Sequence, residues 1–208
     1  MSKNNVWFFG DSFCNPCRPE YEEFWWGNYI TKALGQDKIL KSKGGASIQG
    51  TMVSLQQNKD LIKSGDTVFI AYTSPYRAYF DGKSVIHDSN GFVNEQFFTQ
   101  GELNALKMFY VHLYSFDDYL NLFTWIVQNI QQIIIPKLEA RGVKVNHFYS
   151  IEKPDVDIDQ TLLVAEDWII NLAESKDFKP EPILQTPGHF GNNVVGDLNK
   201  EWAELWVK

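Results

Sequence analysis

Two short apolar runs, "NNVWFF" (Asn4–Phe9) and "DTVFIAY" (Asp66–Tyr72), set the main constraint on the fold. Each is bounded by glycine, Gly10 after the first and Gly65 before the second, and each is too short for a helix. Both therefore read as buried strands. Between them, "PEYEEFWWGNYITKALG" begins with Pro19 and acidic residues and ends at Gly35, the start and stop signals of a helix. "DKILKSK" reads as a short second strand, and "ASIQGTMVSLQQNKDLIKSG" as a helix closed by Gly65. A β-α-β-α-β order implies parallel strands with helices on both faces.

The rest of the chain extends this scheme. Thr73 to about Leu103 is a longer polar insertion, and Asp81-Gly82 within "YFDGKSVIH" signals a hairpin. One long helix is expected over Phe116–Ala140, kinked or cut short by Pro136 and ended at Arg141-Gly142. "VKVNHFYS" (Val143–Ser150) reads as the fourth strand and "KPDVDID" as an acidic loop. "QTLLVAEDWIINLAES" reads as a helix, "EPILQTPGHFGNN" as a loop and "VVGDLNKEWAELWV" as a closing amphipathic helix. With no repeat or linker, residues 1–208 read as a single domain. Its fold class is α/β: a flavodoxin-like, doubly wound parallel sheet in a three-layer α/β/α arrangement.

Composition excludes several classes of function. A formal net charge of −7 argues against a nucleic-acid partner, which needs a basic footprint. No run approaches the ~18 apolar residues of a membrane span. "MSKNNVWFFG" is too short in its apolar part for a signal peptide, so the expected location is cytoplasmic, or outside by a route without a cleaved signal. His87, His112, His147 and His189 are scattered and none pairs with a cysteine at ligand spacing, so no metal site is expected. Aromatic residues reach 15%, which suits a bulky core or rings lining a groove for a sugar or acyl group.

Two catalytic signatures lie within "FFGDSFCNPCRPEYEEF". Cys14-Asn15-Pro16-Cys17 is a possible redox dithiol at a strand-to-helix junction. Its approach looks like that of thioredoxin-like proteins, whose cis-proline ahead of a strand has no counterpart here, since Pro75 follows its strand. Gly10-Asp11-Ser12 places a serine just past the first strand, where parallel sheets bind ligands and a following helix favours an oxyanion.

Four blocks across nearly the whole chain resemble the SGNH (GDSL-type) hydrolase family. "VWFFGDSF" resembles the first block, and the resemblance makes Ser12 the nucleophile. "KGGASIQG" resembles the second, with Gly45 the best match and Gly44 the next for an oxyanion-hole N–H. "VFIAYTSPYR" stands where the family has Gly-x-Asn-Asp. "TPGHFGNN", ahead of the closing helix, resembles the last block and makes His189 the base.

Two positions depart from the pattern. Thr73-Ser74-Pro75 replaces the family's Asn, so Ser74 is the expected donor, with Tyr72, Thr73 and Arg77 as rivals. Thr186 replaces the Asp three residues before the His. A carboxylate from Asp155, Asp157, Asp159 or Glu181 would serve instead, and some family members use a Ser-His dyad held by a backbone carbonyl. Asp11, Thr186 and Arg77 are the supporting candidates, and Arg77 is also a candidate for binding a substrate carboxylate or sulfate. The resemblance implies a serine esterase without cofactor, acting on a small-molecule or carbohydrate ester. The altered positions leave open a binding or structural module on the same fold, and the dithiol leaves open a thiol redox protein.

Overall fold

The computed structural model describes residues 3–16, 25–88, 91–92, 95–150, 200, 203–204 and 206–207. Four parallel strands form the central sheet: β1 (Asn5–Phe9), β2 (Asp37–Leu40), β3 (Thr67–Tyr72) and β7 (Lys144–Tyr149), in the order β2-β1-β3-β7. The register aligns Trp7 with Ile39 and Val68, and Val68 with Val145. β1 is flanked by strands that follow it on either side. The direction of winding therefore reverses beside it, and the carboxyl ends of β1 and β3 form the topological switch point.

Alternation along the strands feeds two cores, one on each face of the sheet. Trp7 and Phe9, Val68, Ile70 and Tyr72, and Val145 and Tyr149 face one way. They pack against α2 (Ile48–Asn58), α4 (Phe116–Asn129) and α5 (Ile135–Glu139). Val6, Phe8, Phe69, Ala71 and Phe148 face the other way, against α1 (Trp26–Leu34) and the carboxyl-terminal residues Ala203 and Trp206. The result is a three-layer α/β/α fold, as the alternating pattern predicts. Aromatic rings fill much of these cores: Trp26 is T-shaped to Phe69 at 5.4 Å, and Phe69 to Trp206 at 5.7 Å.

The Asp81-Gly82 hairpin is present. β4 (Arg77–Phe80) pairs antiparallel with β5 (Lys83–Asp88), which continues to β6 (Gly91–Phe92). Asp81 (φ 44°) and Gly82 (φ 75°) both take the left-handed conformation that a two-residue turn of this hand requires. One element escaped the sequence pattern, α3 (Gln100–His112), which packs Leu103 and Leu106 under the hairpin residues Ala78 and Val85. Its signal was a capping box: Thr99 accepts from the Glu102 N–H, and Glu102 accepts from the Thr99 N–H at 2.6 Å.

The two helices predicted to be longest are both interrupted. α2 stops at Asn58 rather than Gly65, because Arg141 donates to the carbonyls of Lys59 and Ile62 and Ile62 plugs the core. The Phe116–Ala140 helix divides into α4, a π-helical segment Ile130–Ile134 and α5. Pro136 in the first turn of α5 explains the division: its ring would strike the carbonyl one turn back, and the wider π turn gives it room. The predicted acidic loop, helix and closing loop after Ser150 lie outside the described residues.

Asp66, just ahead of β3, fixes the amino-terminal end of the central strands. It is 1% exposed and accepts from the Asn5 N–H (2.8 Å), the Trp7 indole (2.8 Å) and the Lys63 N–H (3.0 Å). Asp66→Ala strands one buried and two part-buried donors and is expected to lower unfolding free energy by about 3 kcal/mol, with Asp66→Asn in between. Urea unfolding monitored by tryptophan fluorescence measures this.

Candidate active site

Gly10 lets the chain leave β1 directly against β3. Its φ is +143°, and a Cβ there would come 2.7 Å from the Cβ of Ala71. The next residue, Asp11, is fully buried and caps a 3-10 turn, Ser12–Cys14, by accepting from the Phe13 N–H at 3.0 Å. The Phe13 carbonyl in turn accepts from both indoles, Trp25 at 3.1 Å and Trp26 at 2.7 Å. Gly27 leaves the space for this, since a Cβ there would run into the Trp25 ring. The turn carrying half-buried Ser12 is thus held from below by α1 and from behind by Asp11.

The other oxygen of Asp11 gathers the remaining strand ends. Oδ2 accepts from Thr73 Oγ1 (3.2 Å) after β3, Ser150 Oγ (2.9 Å) after β7 and Arg77 Nη1 (3.0 Å) at the start of β4. Arg77 Nη1 also donates to Thr73 Oγ1 (2.8 Å) and to the Ala46 carbonyl (3.2 Å) ahead of α2. Burial pulls the Arg77 guanidinium below its ordinary pKa, and Asp11 opposes that shift. Arg77 is therefore neither a solvated loop charge nor a side chain held out for a substrate anion; it is the counter-ion of Asp11. Ser150 was not among the sequence candidates. Its only signal was its place as the last residue of a predicted strand.

The expected oxyanion residues fall around this hub. Gly45, at φ +72°, forms the turn after β2, anchored by Lys43 N–H to the Gly10 carbonyl at 3.1 Å and Ala46 N–H to the Lys43 carbonyl at 3.0 Å. Ser74 is 7% exposed just past β3, and its Oγ accepts from the Tyr76 N–H at 3.2 Å, which leaves its own proton to donate. The rivals are engaged elsewhere. The Tyr72 hydroxyl is buried 3.0 Å from His147 Nδ1 in the core, and Thr73 donates to Asp11. Ser74 is the hydroxyl left at the end of β3. His189, Thr186, Asp155, Asp157, Asp159 and Glu181 lie outside the described residues.

Comparison with protein-family models, with curated proteins and with solved structures found no match for this chain.

Of the dithiol, Cys14 is a fully buried free thiol in the 3-10 turn, and Cys17 lies outside the described residues. Burial pushes the Cys14 pKa well up and Asp11 adds to it, the reverse of what a thiolate nucleophile needs. Among the described residues no group of three His, Cys, Asp or Glu side chains is placed to hold a metal ion, and no helix is long and apolar enough to cross a membrane.

Two measurements follow from this geometry. Breaking the buried pair on one side, Arg77→Met or Asp11→Asn, is expected to cost about 3–5 kcal/mol, and the double variant less than the sum of the two; denaturant unfolding of the four-protein cycle reads the coupling. In a Cys17→Ser background, Cys14 is expected to react with an aromatic disulfide reagent at least a hundredfold more slowly in the native protein than in urea.

Proposed function

We propose that this chain is a serine ester hydrolase built on an SGNH-like plan. The observation that carries this reading is the position of Ser12 at the switch point. It sits on a turn locked by Asp11, with the Gly45 turn and Ser74 on the two neighbouring strand ends. In the proposed reaction Ser12 Oγ attacks the acyl carbonyl carbon while His189 takes its proton. The developing oxyanion accepts from the N–H groups of Ser12 and Gly45 and from the Ser74 hydroxyl. The tetrahedral adduct expels the alcohol, which takes the proton from His189, and water then releases the acid from the acyl-enzyme by the same steps. Asp11 and Arg77 act as positioning residues, since neither reaches past the hub they form.

The substrate class proposed is a small polar or carbohydrate ester. A second reading, a binding module without turnover, is favoured by Thr73-Ser74-Pro75 in place of the family's Asn and by Thr186 in place of the family's Asp.

Hydrolysis of short-chain aryl esters and acetylated sugars separates the two. Turnover is expected and is abolished in Ser12→Ala and His189→Ala; turnover that survives Ser12→Ala removes the assignment, and no turnover on any ester favours the module. Ser74→Ala is expected to lower kcat by about tenfold or more with KM nearly unchanged, because the contact forms in the transition state. Cys14→Ala with Cys17→Ala should keep kcat/KM within a few-fold.

A further inference from the structure

A cleft of ≈ 210 Å³ begins at Gly10, two residues before Ser12, and runs between the tail of β2, α2 and the β4–β5 hairpin. Clefts that take a drug-sized ligand span roughly 300–1,000 Å³, so this one suits a single substituent of a ligand. Gly50 in the first turn of α2 keeps it open. A Cβ there would approach the Tyr79 ring to 3.2 Å, and the ring closes the far wall.

The chemistry of the wall is one-sided. Beyond β2 the chain stays extended: Lys41 N–H donates to the Phe8 carbonyl (2.9 Å) and Lys43 N–H to the Gly10 carbonyl (3.1 Å). Alternate residues of an extended segment share a face. Ser42 points to the catalytic turn, donating to the Cys14 carbonyl at 2.6 Å, while Lys41 and Lys43 both line the cleft. No lining residue is acidic, and among the described residues neither lysine forms an ion pair. The neighbouring Asp81 sits at the exposed hairpin tip, outside the lining. In a chain of net charge −7, two exposed ammonium groups with no ion-pair partner among the described residues line one cleft that reaches Gly10, two residues before the candidate nucleophile, and make a local anion attractor.

We propose that this cleft is a subsite for a negatively charged substituent, a carboxylate or a phosphate, on the ester that Ser12 attacks. The inference rests on the hydrolase reading for its place in the reaction, and on the cleft alone for its ligand. Specificity would follow from charge: the lysines hold the anionic group while the ester carbonyl lies over Ser12.

The test uses the full chain, wild type and a Lys41→Glu/Lys43→Glu variant, with Ser12→Ala as a binding control. At fixed ionic strength, inorganic phosphate and 4-hydroxybenzoate are titrated separately, with amide shifts followed by NMR. Shifts centred on residues 41–57 and 79–84 for either probe, retained in Ser12→Ala and lost on charge reversal, are expected. Which probe binds more tightly distinguishes phosphate from carboxylate. In parallel, kcat/KM is compared for 4-acetoxybenzoate and its methyl ester, which carry the same acyl group and differ in charge.

Charge reversal should lower the anionic-to-neutral preference by about tenfold or more, with the neutral ester nearly unaffected. Shifts that persist in the reversed variant, or an unchanged preference, overturn the subsite and leave the hydrolase reading standing. Localised binding with neither ester hydrolysed upholds the anion site and favours the binding-module reading over the hydrolase.

Discussion

Three parallel strands end on one carboxylate. Asp11 is fully buried after β1 and accepts from hydroxyls that follow β3 and β7, while Arg77 brings in the hairpin and, through the Ala46 carbonyl, the entry to α2. A buried carboxylate is costly unless its lone pairs are met and its charge is balanced. Both oxygens of Asp11 are used and its cation is 13% exposed. The geometry of the loops at the switch point is therefore set by the need to satisfy this one group. Ser12 gains a fixed direction as a consequence of being next to it in sequence.

The same logic separates the two signatures of the opening stretch. A serine on this turn is half-buried beside the strand ends, whereas Cys14, two residues on, is turned into the apolar core among Phe13, Trp25 and Trp26. Desolvation disfavours a thiolate there, and nearby Asp11 adds to the penalty. Proximity in sequence thus yields opposite environments because a 3-10 turn rotates successive side chains by about a third of a circle.

Much of the fold was legible in the residues. The alternation of "NVWFF" and "TVFIAY" with helical segments fixes the parallel sheet, and Asp81-Gly82 fixes the hairpin, since both depend on local pattern. What was not legible depends on partners far along the chain. α2 ends early because Arg141, more than eighty residues after Lys59, reaches its last carbonyls. α3 was missed because its apolar residues are spread round the helix, with only Leu103 and Leu106 buried and Met108 and Val111 exposed, although its capping box stood in plain sequence. At the site, Gly10, Asp11, Ser12 and Ser74 could be named from sequence. The pairing of Arg77 with Asp11 and the hydroxyl of Ser150 could not, because only the sheet order brings residues 11, 77 and 150 together. Arg77 read as a candidate binder of a substrate anion for the same reason.

The most direct test of the account is an experimental structure of the chain after reaction with a small fluorophosphonate ester. The account predicts a covalent bond from phosphorus to Ser12 Oγ, with the phosphoryl oxygen within hydrogen-bond distance of the Ser12 and Gly45 N–H groups and the Ser74 hydroxyl, and the His189 imidazole beside Ser12. Phosphorus on another side chain, or on Ser12 with its oxygen turned away from Gly45 and Ser74, would contradict it.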